Sequence, residues 1–246
     1  MIARDLVLLH GWGSGAGVWR ELAAWLAPAY RVHVPELPGY GATALCRPYT
    51  LEKLADAIAR TAPRHCAAIG WSLGGQVALA WARRAPRQVE RLALFATTPR
   101  FVNGPGWALG MARSEFDAFA RALEDDPAGT LDRFSLLATQ GDLAARRVTR
   151  LLRAARSGQR VPDPAALTGG LEILRDADLR AGLRSIGQPT LVVHGARDRL
   201  VPSGAGRYLG RRVAAGRVLV LRGTAHVPFL SKPGPAARAL RAFLDA

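Results

Sequence analysis

Short apolar runs alternate along the chain with stretches whose apolar residues recur at helical spacing. Leu6–His10, Arg31–Pro35, Cys66–Gly70 and Arg91–Ala96 read as strands. Val18–Ala27, Leu51–Thr61 and Leu73–Arg84 read as helices between them. In the second helix Leu51, Leu54, Ala55 and Ile58 fall on one face. The third is alanine-rich and stops before Pro86. Strands alternating with helices predict a parallel sheet covered by helices on both faces.

From about Thr98 to Arg184 the rhythm changes. Glu115–Leu123, Leu131–Ala138 and Leu143–Ala155 predict amphipathic helices separated by Gly and Pro, and no strand is expected there. Strands resume at Thr190–His194 and Arg217–Leu221, and Pro235–Leu244 predicts a last helix. The pattern therefore predicts an α/β core from residues 1–97 and 185–246. Residues 98–184 form an all-helical cap inserted between two core strands, not a separately hinged domain. No internal repeat or low-complexity linker interrupts the chain.

Composition changes this picture little. With 246 residues, 49% hydrophobic and 22% charged, the chain is neither disordered nor a coiled coil. No run of about 18 apolar residues occurs, so no membrane span is expected. The opening MIARDLVLLHGWG reads as a strand entering a glycine turn, not as a signal peptide. Cys46 and Cys66 form neither a CxxC nor a zinc spacing, and read as small buried thiols of a reduced, cytoplasmic protein.

Charge is the unusual feature. The net charge is +15, and Lys53 and Lys232 are the two lysines. A basic surface can attract nucleic acid or anionic lipid, or an acidic protein. Arg, Ala, Gly and Pro are all abundant, however, and all have GC-rich codons. The arginines are spread out, and no aromatic-interleaved motif accompanies them, so coding bias is the main reading and nucleic acid is not an expected partner.

The strongest chemical signal is Gly70-Trp71-Ser72-Leu73-Gly74, which follows the run Cys66-Ala67-Ala68-Ile69 and precedes a helix. G-x-S-x-G arises by chance in glycine-rich chains, and this one has 26 glycines. Its place between strand and helix marks it as a nucleophile elbow. A serine hydroxyl needs a base to take its proton. Of the histidines, His10 and His194 end strands, His33 lies within one and His65 lies in a loop. His226 sits between the last strand and the last helix and is the candidate base. Asp198 follows the strand Thr190–His194 and is the candidate acid that orients it. Asp176 and Asp178 fall in the helical insertion and read as a solvated face or a cap. The negative oxygen of a tetrahedral intermediate needs two preplaced donors. The Leu73 amide is one, and the Trp12 amide in His10-Gly11-Trp12-Gly13 is the other.

With these motifs the chain resembles the α/β-hydrolase superfamily over nearly its full length. Within it, the chain is most similar to the BioH group, the pimeloyl-[acyl-carrier protein] methyl ester esterases of biotin synthesis. The matching stretches are Leu8-Leu9-His10-Gly11-Trp12-Gly13, Val18-Trp19-Arg20, Glu36-Leu37-Pro38-Gly39-Tyr40-Gly41 and Gly70-Trp71-Ser72-Leu73-Gly74-Gly75. Arg133-Phe134, Gly169-Gly170-Leu171-Glu172-Ile173-Leu174, Asp178-Leu179-Arg180 and Ala225-His226-Val227-Pro228-Phe229 complete them. The resemblance implies Ser72 as nucleophile, Asp198 as acid and His226 as base. It implies substrate contacts from Trp12, Leu73 and the segment Phe134, Ser135, Leu136, Leu137 and Ala138. It also implies docking of an acidic acyl-carrier protein by Arg133, Arg146 and Arg150, the last two sharing a helix face. A generic cationic face explains these arginines equally well. The chain departs from the family in two places. The hairpin that usually precedes the first strand is missing or trimmed, which leaves about six strands. Ala138, with Gln140 nearby, stands where the family tends to carry Gln.

The expectation is therefore an α/β-hydrolase fold, cytoplasmic and monomeric, with no metal or organic cofactor. Its activity is serine ester hydrolysis through an acyl-enzyme, on a small-molecule or carrier-linked ester and foremost the methyl ester of pimeloyl-carrier protein. The competing readings are a generalist short-chain esterase, a lactonase or a carbon–carbon bond hydrolase on the same scaffold. A non-catalytic binding protein fits less well, because every member of the expected machinery is present.

Overall fold

The computed structural model describes residues 4–157 and 160–246, so the first three residues of the stretch read as strand, not leader, lie outside the described residues. Six strands form one parallel sheet: β1 (Asp5–Leu9), β2 (Arg31–His33), β3 (Cys66–Trp71), β4 (Val89–Phe95), β5 (Thr190–Gly195) and β6 (Gly216–Leu221). Their order is β2-β1-β3-β4-β5-β6, so β1 lies inside the sheet, β2 fills one edge, and the later strands build the other side. Every residue of β3 and β5 is buried, whereas β2 and β6 are open at the edges. That gradient explains why the central strands are unbroken apolar runs: helices cover both of their faces.

The helices divide into groups. α1 (Arg20–Leu26), entered through a 3-10 turn at Ala16–Trp19, packs on the C-terminal helix α10 (Pro233–Leu244). α2 (Leu51–Thr61) packs on α3 (Leu73–Arg84), and α8 (Ser203–Arg212) packs on β5 and β6. Thr50 caps α2 by accepting from the Lys53 amide. Between β4 and β5 lie α4 (Arg113–Asp125), α5 (Pro127–Thr139), α6 (Ala145–Arg156) and α7 (Pro164–Asp176). Asp126 and Asp163 cap α5 and α7, each with Pro at the first position.

The structure departs from the sequence expectation in particulars. β2 ends at His33, short of the expected Arg31–Pro35, and Glu36 bonds instead to the Ala16 amide beside His10. α7 and α8 were not among the predicted helices. Isolated bridges join Val102 to Met111 and Gly104 to Trp107, where only helix was expected. Cys66 is buried, which pushes its thiol up to about 12, but Cys46 is only half-buried.

One aromatic cluster joins the sheet to the C-terminal loops. The Phe229 ring, on the short helix α9 (Pro228–Ser231), stacks on Trp19 at 4.2 Å and meets Trp71 at 5.7 Å and Phe95 at 5.5 Å. All four are fully buried. Phe229→Ala should cost about 3–5 kcal/mol in urea denaturation. A loss below about 1 kcal/mol would show that the cluster does not anchor this end of the fold.

Candidate active site

The site is built where β1, β3, β5 and β6 end, the edge at which parallel α/β sheets place their chemistry. β3 runs straight into Ser72 and α3 begins at the next residue. The turn forces Ser72 to φ 54°, a left-handed conformation that side chains rarely adopt. It closes only because its flanks are bare. A Cβ on Gly70 would lie 2.4 Å from the Gly74 carbonyl oxygen, and one on Gly74 would lie 2.3 Å from that of Leu9.

Ser72 Oγ lies 3.0 Å from His226 Nε2, and His226 Nδ1 lies 2.8 Å from Asp198 Oδ2. The three residues expected from sequence thus form one hydrogen-bonded chain. It is shielded from water: Ser72 is 6%, Asp198 7% and His226 1% exposed. Asp198 Oδ1 accepts from the Leu200 and Val201 amides, which fixes the carboxylate in its loop. Burial alone would raise the Asp198 pKa. The charge of His226 and hydrogen bonds from His194 and His226 outweigh it and hold the carboxyl at about 2.

The candidate oxyanion donors come together on abutting turns. Leu73 opens α3, so its N–H has no carbonyl one turn earlier to bond. The first turn of α3 presses on the Leu9 and His10 carbonyls, immediately before the loop that carries Trp12. Neither amide has a backbone partner among the described residues, and the α3 dipole favours an anion at the end of the helix that Leu73 opens.

Residues outside the motifs hold this loop. Gly13 N–H donates to Tyr40 Oη at 3.0 Å, and Ala16 N–H donates to Glu36 Oε2 at 2.9 Å. Glu36 Oε2 also lies 3.0 Å from His10 Nε2. Burial would raise the Glu36 carboxyl, but His10 and the Ala16 amide outweigh it and lower its pKa. The Glu36–Gly41 stretch is therefore a brace for the loop that carries Trp12. The Trp12 indole N–H donates to the Leu167 carbonyl at 2.8 Å. A Cβ on Gly170 would lie 2.7 Å from that indole, so this glycine lets α7 close over it.

The five-residue segment 134–138 does not line the site as a continuous wall. It lies on α5, so only residues one turn apart share a face. Phe134 packs edge-on to Trp12 at 5.3 Å and to His226 at 6.5 Å. Ala138 is fully buried, and its carbonyl accepts from the His226 amide at 3.1 Å. Ser135 instead accepts from Arg156, Leu136 is 54% exposed, and Leu137 is half-buried beside the outer cavities. Phe119 of α4, absent from the sequence reading, takes a place at the site by packing on Trp12 at 5.5 Å.

Arg133, Arg146 and Arg150 gather in one groove of about 690 Å³ between α5 and α6, with Leu136, Leu137 and Arg153. Arg153 pairs with Asp132; the other three make no ion pair among the described residues. Arg133 and Leu137 also line a second opening of about 470 Å³, whose walls include Phe119 and Leu200. Phe119 of that opening packs on Trp12, and its Arg199 and Leu200 belong to the Asp198 loop. Asp176 pairs with Arg175, and Asp178 with Arg100 and Arg180, so both serve ion pairs away from His226. Among the described residues no cluster of three or more His, Cys, Asp or Glu side chains could hold a metal ion.

The histidine loop is fastened to the helices above it. Besides the Ala138 contact, Ala225 N–H donates to Asp142 Oδ2 at 2.7 Å, and Ser231 Oγ donates to Asp142 Oδ1 at 2.8 Å. From below, the Trp71 indole N–H donates to the His226 carbonyl at 2.8 Å. Asp142 carries no motif, and only the fold brings it to this loop.

The alpha/beta hydrolase family model matches residues 6–239. The chain is 44% identical over 234 residues to the pimeloyl-[acyl-carrier protein] methyl ester esterase of Aromatoleum aromaticum, covering 93% of each. It is 39% identical over 229 residues to the enzyme of that name from Nitrosomonas europaea, covering 93% of this chain and 91% of the relative. Among solved structures, the esterase EaEST from Exiguobacterium antarcticum superposes with a TM-score of 0.89 at 22% identity, covering 99% of this chain and 92% of that one. The enol-lactonase from Burkholderia xenovorans LB400 gives 0.85 at 23%, covering 100% and 93%. These two likenesses speak for the fold alone.

Two expectations follow from this geometry. Asp142→Ala leaves the buried Ala225 amide unpaired, at a cost of about 1–3 kcal/mol, and should lower kcat more than it raises KM; an unchanged kcat would separate the clamp from catalysis. The depressed Asp198 pKa makes the second. Its stabilising share is complete above the unfolded value of roughly 3.9 and is lost as pH falls through about 2. Over that interval the wild type should lose more Tm than Asp198→Asn does, and equal losses would contradict the assignment.

Proposed function

The chain belongs to the alpha/beta hydrolase family, and from that footing we propose that it is a serine carboxylester hydrolase acting on the methyl ester of pimeloyl-[acyl-carrier protein]. The observation that carries the chemistry is the continuous chain from Ser72 Oγ through His226 to Asp198, at 3.0 and 2.8 Å. The observation that supports the substrate is the shared name of the relatives, together with the groove that gathers Arg133, Arg146 and Arg150.

In this reading Ser72 attacks the ester carbonyl while His226 Nε2 takes its proton. Asp198 holds the imidazole in the tautomer that can accept at Nε2, and stabilises the imidazolium that forms. The Trp12 and Leu73 amides hold the negative oxygen, in a site dry enough for two hydrogen bonds to count heavily. His226 then protonates the departing methanol. Water, activated by the same histidine, releases the free acid from Ser72.

Residues 98–184 act as the cap. The inner face of α5, with Phe134 and Ala138, closes over the ester, and Phe119 and Trp12 supply apolar walls. The outer faces of α5 and α6 present Arg133, Arg146 and Arg150 to the acidic carrier. The acyl chain then spans from the carrier to Ser72 through the opening beside Phe119 and Leu200. Among the described residues no helix is long and apolar enough to cross a membrane, and a cytoplasmic location suits a carrier-linked substrate.

The test compares methyl pimeloyl-carrier protein with dimethyl pimelate at low and high salt. The carrier-linked ester should be strongly preferred, and salt should erode the preference, because exposed charges are screened within about 10 Å at 0.1 M. Ser72→Ala should abolish both activities. Equal cleavage of the two esters at all salt concentrations, with fast turnover of short generic esters, would make this a generalist esterase.

A further inference from the structure

One buried titratable side chain has no part in the relay described above. His194 lies on β5 with no exposed surface. Its Nε2 is 2.7 Å from the Val201 carbonyl oxygen and 3.3 Å from Asp198 Oδ2. A carbonyl oxygen can only accept, so Nε2 carries the hydrogen. Nδ1 is buried without a hydrogen-bond partner among the described residues. It faces Gly206 of α8, where a Cβ would lie 2.4 Å from it. A flipped ring would leave the Val201 oxygen without its donor.

The Asp198 carboxylate therefore sits between two imidazoles. Oδ2 receives His226 Nδ1–H at 2.8 Å and lies 3.3 Å from His194 Nε2, whose hydrogen goes to the Val201 carbonyl. Oδ1 receives the Leu200 and Val201 amides at 3.0 and 2.9 Å. Three of these four neighbours belong to β5 or the loop that follows it, and only His226 comes from elsewhere.

We propose that His194 is a positioning residue for ester hydrolysis: its Nε2–H, held against the Val201 carbonyl and 3.3 Å from Oδ2, ties the loop that carries Asp198 to β5 and takes up part of the carboxylate charge. The inference rests on the serine-hydrolase reading of Ser72, His226 and Asp198. The donor does two things. It stops the carboxylate from turning away from His226 Nδ1. It also spreads the charge of Oδ2 over two rings, so that His226 is not held too firmly as the imidazolium. A base that stays protonated cannot take the Ser72 proton. The low pKa of Asp198 agrees with a donor on each side.

Nitrogen-15 NMR of the histidine-labelled wild type reads the tautomer directly. His194 should show a protonated Nε2 and a bare Nδ1, and the opposite tautomer would overturn the proposal. Kinetics then test the role, with Tm as the folding control. His194→Phe keeps the ring shape and removes the donor. It should lower kcat on a small ester by about 10–100-fold, the scale of a misplaced catalytic group, leave KM nearly unchanged and move the acid limb of kcat/KM to higher pH. His194→Gln restores an N–H near Nε2 and should recover most of the rate and the wild-type limb. Equal losses in both variants with an unmoved pH profile would reduce His194 to packing and overturn the proposal, as would a His194→Phe enzyme with wild-type kcat. Labelling with a fluorophosphonate separates the two levels. A wild type unlabelled at Ser72 sinks the serine-hydrolase reading itself, whereas labelled enzyme indifferent to His194→Phe sinks only the role of His194.

Discussion

A serine at φ 54° stores backbone strain of about 1–3 kcal/mol, and the site depends on holding it there. The strain persists because β3 is buried on both faces and α3 cannot shift without driving Gly74 into the end of β1. The same crowding that forbids a Cβ at Gly70 and Gly74 brings the first turn of α3 against the loop that carries Trp12. Nucleophile and candidate oxyanion donors are thus consequences of one packing constraint. Phe229 extends it to the base: three residues after His226, it is buried among Trp19, Trp71 and Phe95.

The region between β4 and β5 is part of the same arrangement. The His226 loop is gripped from below by Trp71 and from above by Ala138 and Asp142. α5 therefore touches the reacting groups on one side and presents Arg133 on the other. A helix with these two faces can join recognition outside the protein to closure of a dry site inside it. Dryness matters for the chemistry, because a hydrogen bond or a charge acts more strongly where water is excluded.

The parts of this arrangement that a reader of the sequence can find are those with local signals. Strands β3, β4 and β5 are short apolar runs bounded by turns, and the elbow is a five-residue motif in its proper setting. His226 and Asp198 follow from their places after the last strands. What stays hidden depends on distant contacts. The Gly169-Gly170 pair makes α7 look like a poor helix, yet those glycines are the space that Tyr49 and Trp12 need. α8 is disguised in the same way by Gly204, Gly206 and Gly210, which lie against Leu109, His194 and Val218. Segment 134–138 reads as one contact surface in sequence, and only the helical turn sends Leu136 outward. Asp142, Glu36 and Tyr40 have no motif of their own. The grouping of Arg133, Arg146 and Arg150 in one groove is invisible in a chain with arginines throughout.

In the proposed reaction Ser72 carries an acyl group between two chemical steps. Rapid quenching of the enzyme with a pimeloyl methyl ester, followed by intact-mass and peptide analysis, observes that state directly. A pimeloyl adduct on Ser72 should form within one turnover, decay as free acid appears and be absent in Ser72→Ala. Turnover with no adduct at any time, combined with an active Ser72→Ala enzyme, would contradict that reaction.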